Sequence, residues 1–190
     1  MKFTVSKTEI VKALSSTLGV VEKRQALPIL SNILLTVEEN KISITATDLE
    51  SEVQTKCAPI SVESAGSTTA PAKKLNELCR LLPDGSEISI FLNGDKLSVE
   101  SGSGKYSIST LPSEDFPVFD VASENTEFTI LGSVLRNLIS KTSFAMGNQD
   151  WRHYLNGMYL NIEDKNITAV TTDAHRLAIS TSSTSESVSG

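Results

Sequence analysis

The chain repeats itself at a fixed spacing of 125 residues, and such a repeat confines the fold to architectures that reuse one supersecondary module. Phe3-Thr4-Val5 falls on Phe128-Thr129-Ile130, Ile10 on Leu135, Leu14 on Ile139 and Thr17 on Thr142. With no gap the register continues through Ile33 and Met158, Leu35 and Leu160, Val37 and Ile162, and Ile42 and Ile167, to Thr47-Asp48 and Thr172-Asp173. Identity between the copies is low but the register never slips, which is how common architecture outlives sequence drift.

Each copy reads as a short strand, a helix and then strands. Ile10, Ala13, Leu14 and Leu18 recur at helical spacing in the first copy, as do Leu135, Leu138, Ile139 and Thr142 in the second. Ile33, Leu35 and Val37 then alternate with polar residues, Glu38-Glu39-Asn40 reverses the chain, and Ile42, Ile44 and Ala46 alternate again. The segment 158–170 repeats this pattern around Glu163-Asp164-Lys165. Between the copies lies a shorter relative: a strand over Ser67 to Ala70, Pro71 as a first helical residue, and an apolar stripe of Leu75, Leu78, Cys79 and Leu82 ended by Pro83-Asp84-Gly85. Ile88 and Ile90 lead into Asn93-Gly94, a strong hairpin signal, with Leu97 and Val99 returning and Tyr106 and Ile108 on a further strand. The expectation is an α+β fold of three β-α-β-β-β repeats over about 2–57, 66–110 and 126–181, with helices on one face of antiparallel sheets.

A boundary is expected between the second and third repeats. Leu111 to Thr126 carries Pro112, Pro117 and the acids Glu114, Asp115, Asp120 and Glu124 without a base, a linker-like composition. This divides the chain into 1–120, a domain of two repeats, and 121–190, half of a second domain. Past Ile179 the run Ser180-Thr181-Ser182-Ser183-Thr184-Ser185 has no core-forming pattern, so the sequence looks cut off mid-domain.

Composition removes several function classes. Met1-Lys2-Phe3-Thr4-Val5-Ser6-Lys7 lacks the apolar centre of a signal peptide, and no uncharged apolar run approaches the ~18 residues of a membrane helix, so a cytoplasmic protein is expected. Cys57 and Cys79 have neither CxxC spacing nor the partners for a zinc site and are read as small buried side chains; no metal or cofactor is expected. Asp173 and His175 lie two residues apart on a strand end with no nucleophile elbow, and Gly102-Ser103-Gly104-Lys105 lacks the earlier Gly and the Ser or Thr of a phosphate loop. No catalytic residue is assigned.

Charge is distributed against the average. The chain has net charge −6, yet the three helices carry Lys7, Lys12, Lys73, Lys74, Arg80, Arg136 and Lys141 against only Glu9 and Glu77. On the second helix Lys73, Asn76, Glu77 and Arg80 are expected on the face opposite the leucines. If equivalent repeats pack side by side, their helices line one positive surface on a negative body. Such a surface attracts phosphate backbones without reading bases.

Met1-Lys2-Phe3-Thr4-Val5, Leu27-Pro28-Ile29-Leu30-Ser31-Asn32, Ala46-Thr47-Asp48-Leu49-Glu50, Thr110-Leu111-Pro112-Ser113-Glu114-Asp115-Phe116-Pro117, Tyr154-Leu155-Asn156-Gly157 and Thr172-Asp173-Ala174-His175-Arg176-Leu177-Ala178 together resemble the bacterial DNA polymerase III β subunit family, the sliding clamps. The resemblance runs in order from residue 1 to about 180 and covers one and a half of that family's three domains. It implies the DNA-clamp fold and a non-catalytic ring of two head-to-tail subunits around duplex DNA, helices inside and sheets outside. It also implies partners: the DNA polymerase III alpha subunit, the clamp loader and other proteins bearing the clamp-binding motif.

Three sites follow from the resemblance. Arg24 and Gln149, again 125 apart, are implied DNA contacts, with Lys73, Arg152, His153 and Tyr154 beside them; His153 stands where the family often has Tyr. Leu155, Thr172, Ala174, His175, Arg176 and Leu177 correspond to part of the pocket that receives partner peptides. Ala174 replaces the family's usual Gly, a strained choice if that position takes a positive φ. Lys74, Lys105, Tyr106 and Ile108 correspond to one side of the ring joint. For Trp151 and Tyr154, simple packing competes with a binding role. A rival reading keeps the peptide pocket but has no DNA encirclement, which makes the basic helix faces incidental.

Overall fold

In a computed structural model that describes residues 1–21, 27–119 and 129–188, the 125-residue register holds at the level of single hydrogen bonds. Helix α1 spans Lys7–Thr17 and α3 spans Gly132–Thr142, end for end at that offset. The register closes on two matching turns. Thr47 Oγ1 accepts from Leu49 N–H and donates to the Ser51 carbonyl, while Asp48 Oδ1 accepts the N–H groups of Glu50 and Ser51. Thr172 and Asp173 do the same with Ala174, His175 and Arg176. Both turns place a side chain in the left-handed region, Leu49 at φ 74° and Ala174 at φ 71°, so the strain expected at Ala174 is present and is shared by its repeat mate. Ala174→Gly is accordingly expected to stabilise its turn by about 1 kcal/mol, seen as a higher urea midpoint; an unchanged or lower midpoint would show that the Thr-Asp turn already absorbs the strain.

The chain separates into two compact units, Met1–Asp120 and Val121–Gly190. In the first, strand β1 (Lys2–Ser6) precedes α1, and β2 (Asn32–Glu38), β3 (Lys41–Thr47) and β4 (Glu52–Cys57) follow it. A short strand β5 (Ser61–Ser64), absent from the sequence expectation, leads to β6 (Gly66–Pro71), α2 (Ala72–Leu81), β7 (Glu87–Asn93), β8 (Lys96–Ser101) and β9 (Gly104–Ser109). The repeats are not self-contained. β1 leaves its own repeat and pairs with β7, Phe3 opposite Ile90, while β6 pairs with β2 of the first repeat, Leu35 opposite Thr68. The result is two antiparallel sheets, β5-β1-β7-β8-β9 and β4-β3-β2-β6, each built from both repeats.

One apolar cluster joins these sheets to both helices. Phe3, Ile10, Leu14, Ile33, Leu35, Leu75 and Ile90 are each 0% exposed in it. Pro71 ends β6 and caps α2 from outside, so the helix starts one residue later than expected. α1 and α2 lie against each other: Ser15 Oγ donates to Asn76 Oδ1 at 3.4 Å, and Asn76, expected on the outer face, is buried. Cys57 and Cys79 are buried, and burial pushes their thiols up to about 11 and about 12.

The stretch expected to be linker is partly packed. Thr69 N–H and Oγ1 donate to the Leu111 carbonyl, Leu111 N–H donates back to Thr69 Oγ1, and Phe116 is buried. Ser67 Oγ also donates to Ser113 Oγ, and Phe119 N–H donates to Glu52, so hydrogen bonds and one buried ring together hold 111–119 on the first unit. Residues 120–128 lie outside the described residues.

The second unit holds α3, β10 (Tyr159–Thr172) and β11 (Leu177–Val188), with β10 and β11 paired antiparallel. Thr142 Oγ1 meets Met158 Sδ at 4.0 Å, and its carbonyl accepts a hydrogen bond from Thr171 Oγ1. An extended 14-residue strand would hold those two partners more than ~40 Å apart, so the chain folds back within β10, in accord with the reversal expected around Glu163-Asp164-Lys165. The Ser/Thr run past Ile179 lacks a core pattern yet forms strand: Ser182 pairs with Ile167, and Thr168 and Thr181 share a hydrogen bond of 3.0 Å. A ladder needs backbone partners more than apolar side chains, and Thr suits it. Phe128 is not described, and Thr129 and Ile130 form no strand. In the first unit the corresponding β1 is held by β7 of the next repeat.

Candidate nucleic-acid interface

The helix cations divide by their surroundings. Lys7 drops out of the expected positive face: its ammonium donates to the Leu82 carbonyl at the C-terminal end of α2 and to Asp84 at 2.7 Å, with only 13% of the side chain exposed. A cation there answers the partial negative charge of the helix end. Lys12, Lys74, Arg80, Arg136 and Lys141 are exposed and Lys73 is half-buried; none of the six has an ion-pair partner among the described residues. Arg24, expected beside them, lies outside the described residues.

The loop 147–157 is pinned by its own polar groups. The Asn156 side chain imitates a strand partner, accepting from Asp150 N–H and donating to the Asp150 carbonyl, both at 2.9 Å. Gly147 N–H donates to the Leu155 carbonyl at 2.8 Å, and Gln149 takes a left-handed φ of 56° with its side chain exposed. Arg152 grips Asp150 with both Nε and Nη2, and this hydrogen-bonded fork, assisted by the Arg152 backbone N–H, holds the Asp150 carboxyl down to about 2. Arg152 is therefore charge-compensated. Trp151 and Tyr154 are 83% and 77% exposed, so neither is packed, and His153 is exposed beside them.

The expected pocket residues occupy the second of the matching turns and the loop end. Leu155 is buried, whereas Ala174, His175, Arg176 and Leu177 are exposed and Thr172 is half-buried. Asp173 is committed to its own turn: its oxygens take the backbone N–H groups of Arg176 and His175 and the Arg176 Nε, which hold its carboxyl below the usual range. Arg176 also lies 5.9 Å from the Phe144 ring centre, a neighbour that sequence spacing could not reveal.

At the sheet edge, β9 places Lys105 and Tyr106 outward, with Lys105 paired to Glu100 across the ladder at 3.2 Å. Ile108, implied as a joint residue by the resemblance, turns its side chain inward. Its side chain is 7% exposed and belongs to the core, so only its backbone belongs to the open edge. Lys74 is exposed on α2. Gly102-Ser103 forms the β8–β9 hairpin turn, with Gly102 at φ 56°, and not a phosphate loop. Among the described residues no group of His, Cys, Asp and Glu side chains assembles as a metal site, and no helix is long and apolar enough to cross a membrane.

The sequence profile of the DNA polymerase III beta subunit N-terminal domain matches residues 1–120, and that of its central domain matches 129–189. The chain belongs to the DNA polymerase III beta subunit family. It is 43% identical over 179 residues to the beta sliding clamp of Vibrio cholerae, covering 94% of this chain and 49% of that protein. The DNA polymerase III subunit beta of Pseudomonas aeruginosa superposes with a TM-score of 0.92 at 42% identity, over 96% of this chain and 50% of the other. A P. aeruginosa sliding clamp solved with griselimycin bound gives 0.93 at 41% identity, over 98% and 50%. The α+β clamp fold is thus the fold of this beta subunit family member. The chain spans about half the length of the relatives it matches.

Proposed function

We propose that this beta subunit sequence forms the first domain, 1–120, and half of the second, 121–190, of a non-catalytic DNA sliding clamp. As a head-to-tail dimer in its full-length form, the clamp encircles duplex DNA in the cytoplasm and tethers the DNA polymerase III alpha subunit, the clamp loader and other motif-bearing proteins. The observation that carries this reading is the set of six helix cations without ion-pair partners among the described residues, on a chain of net charge −6. Sliding needs attraction without base-specific grip, and Lys and Arg heads facing phosphates supply it while acidic surfaces elsewhere repel the duplex. Arg24, Lys73 and Gln149 are the proposed DNA contacts, with His153 and Tyr154 adjacent. Arg152 serves chiefly to hold its loop. Exposed Leu177 beside the Thr172–Arg176 turn supports a peptide pocket there, and the griselimycin-bound Pseudomonas clamp shows that a relative accepts a ligand. Lys74, Lys105 and Tyr106 with the β9 backbone edge are the proposed joint.

The deciding experiment places Arg24→Glu, Lys73→Glu and Gln149→Glu together in the full-length protein. Retention on circular DNA is expected to be lost, and the salt dependence of DNA association to flatten by about 0.9 in log–log slope for each phosphate contact removed, while motif-peptide affinity stays unchanged. Retention equal to that of the unsubstituted protein would leave a peptide-binding scaffold as the better reading.

A further inference from the structure

The two matching Thr-Asp turns differ in what surrounds them. At the 125-residue offset Leu30 stands where the second unit has Leu155, and both are buried, but Leu49, Glu50 and Glu52 take the places of Ala174, His175 and Leu177. β2 enters and β3 leaves the sheet at one end, since Leu34 lies opposite Thr45, and β4 begins at that end with Glu52 opposite Thr47. The 111–119 segment reaches the same end through the hydrogen bond of 3.1 Å that Phe119 N–H donates to Glu52 Oε2. Leu27 ahead of β2, Leu49 in the turn and Phe119 beside β4 are 50%, 48% and 48% exposed, and Val118 is more so. Glu50 and Glu52 have no ion-pair partner among the described residues.

We propose that this end of the β4-β3-β2-β6 sheet docks a short peptide segment in which a Lys or Arg lies next to a large apolar side chain. The apolar side chain covers Leu49 and Phe119, which the fold leaves half in water, and the cation meets Glu50 and the Glu52 oxygen that Phe119 does not use. Leu49 carries much of the argument. The Thr47 and Asp48 side chains fix its turn, and at φ 74° Gly or Asn would serve that turn better than a leucine. A strained residue whose side chain points into water is accounted for by something that covers it. The second turn shows His175 and Arg176 in place of carboxylates, so the two turns select segments of opposite charge. That contrast rests on reading the second turn as a peptide pocket; the exposed side chains and carboxylates of the first turn stand without it.

The probe is a dye-labelled hexapeptide alternating Lys with Leu or Phe, followed by fluorescence anisotropy. It is titrated with the 190-residue chain at about 0.15 M salt, where long-range attraction to the net charge of −6 is largely screened. Saturable binding is expected, and none for the same peptide with Glu in place of Lys. Leu49→Asn, which suits a left-handed turn, is expected to weaken binding about tenfold. Glu50→Gln with Glu52→Gln keeps an acceptor for Phe119 N–H and is expected to weaken it about fivefold. Absence of saturable binding, or affinity unchanged in either variant, would overturn the proposal. Binding lost in Leu177→Ser but kept in Leu49→Asn would move the peptide to the second turn, sinking the first-turn site and leaving the pocket reading standing. Binding through Leu49, with motif peptides failing to bind the full-length protein, would do the converse. Sedimentation of the free chain as a dimer that Leu49→Asn dissociates would put a second copy on this surface and also overturn the proposal.

Discussion

Phe3→Ala is expected to cost the first unit about 3–5 kcal/mol of unfolding free energy, the range for removing a fully buried ring from a packed core. The site is chosen because β1 has left its own repeat. Phe3 stands opposite Ile90 of β7 on one side and Val62 of β5 on the other, is 0% exposed, and shares one cluster with Ile10 and Leu14 of α1 and with Leu75 of α2. Its loss therefore opens a void touching both repeats, with little room for either to close over it. Small domains are stable by only about 5–15 kcal/mol, so much of the first unit's margin would go. Urea unfolding of Phe3→Ala against Leu81→Ala, whose side chain is 87% exposed, makes the comparison; the latter is expected within about 0.5 kcal/mol of the parent. Similar midpoints for the two would mean that β1 is not the strand that locks the repeats together.

Leu138→Ala is expected to unfold the second unit and spare the first. The buried apolar cluster there consists of Leu138, Ile167 and Ala169, with Ile130, Val134, Met158 and Ile162 only partly buried around it. Removing a buried leucine costs about 2–5 kcal/mol wherever the surroundings cannot collapse, and so small a cluster has few neighbours to share the loss. Amide hydrogen exchange is the measurement: protection should vanish along β10 and β11 while β1, β2, β3 and β7 keep theirs. Loss of protection spread evenly over both units would contradict the separation of their cores.

The elements were legible wherever apolar periodicity is a local property. Ile10 and Leu14 announce α1, Ile33, Leu35 and Val37 announce β2, and Asn93-Gly94 marks the β7–β8 turn. The 125-residue register was legible too, down to Asp48 and Asp173. What stayed hidden was every partnership across distance. No spacing reveals that β1 pairs outside its repeat, that Phe116 docks a stretch rich in acids and prolines, or that Lys7 serves the end of α2 instead of the solvent. The 147–157 loop shows the same division. Arg152, His153 and Tyr154 could be singled out through resemblance, but the clasp that orients them depends on the Asn156 amide reaching back six residues to the Asp150 backbone. Ile108 came to the joint through resemblance, and which face of β9 the core covers is a matter of packing that neither resemblance nor alternation states.

The exchange of β1 and β6 also sets an order of events at the ribosome. Lys2 pairs with Phe91, so the N-terminal strand must wait for about ninety further residues before its partner exists, which at ~5–20 residues per second is several seconds of synthesis. Until then Phe3 and Val5 have only the short β5 beside them and no β7 to complete the sheet. The first repeat cannot mature ahead of the second, and the unit reaches its native pairing only as a late, concerted closure.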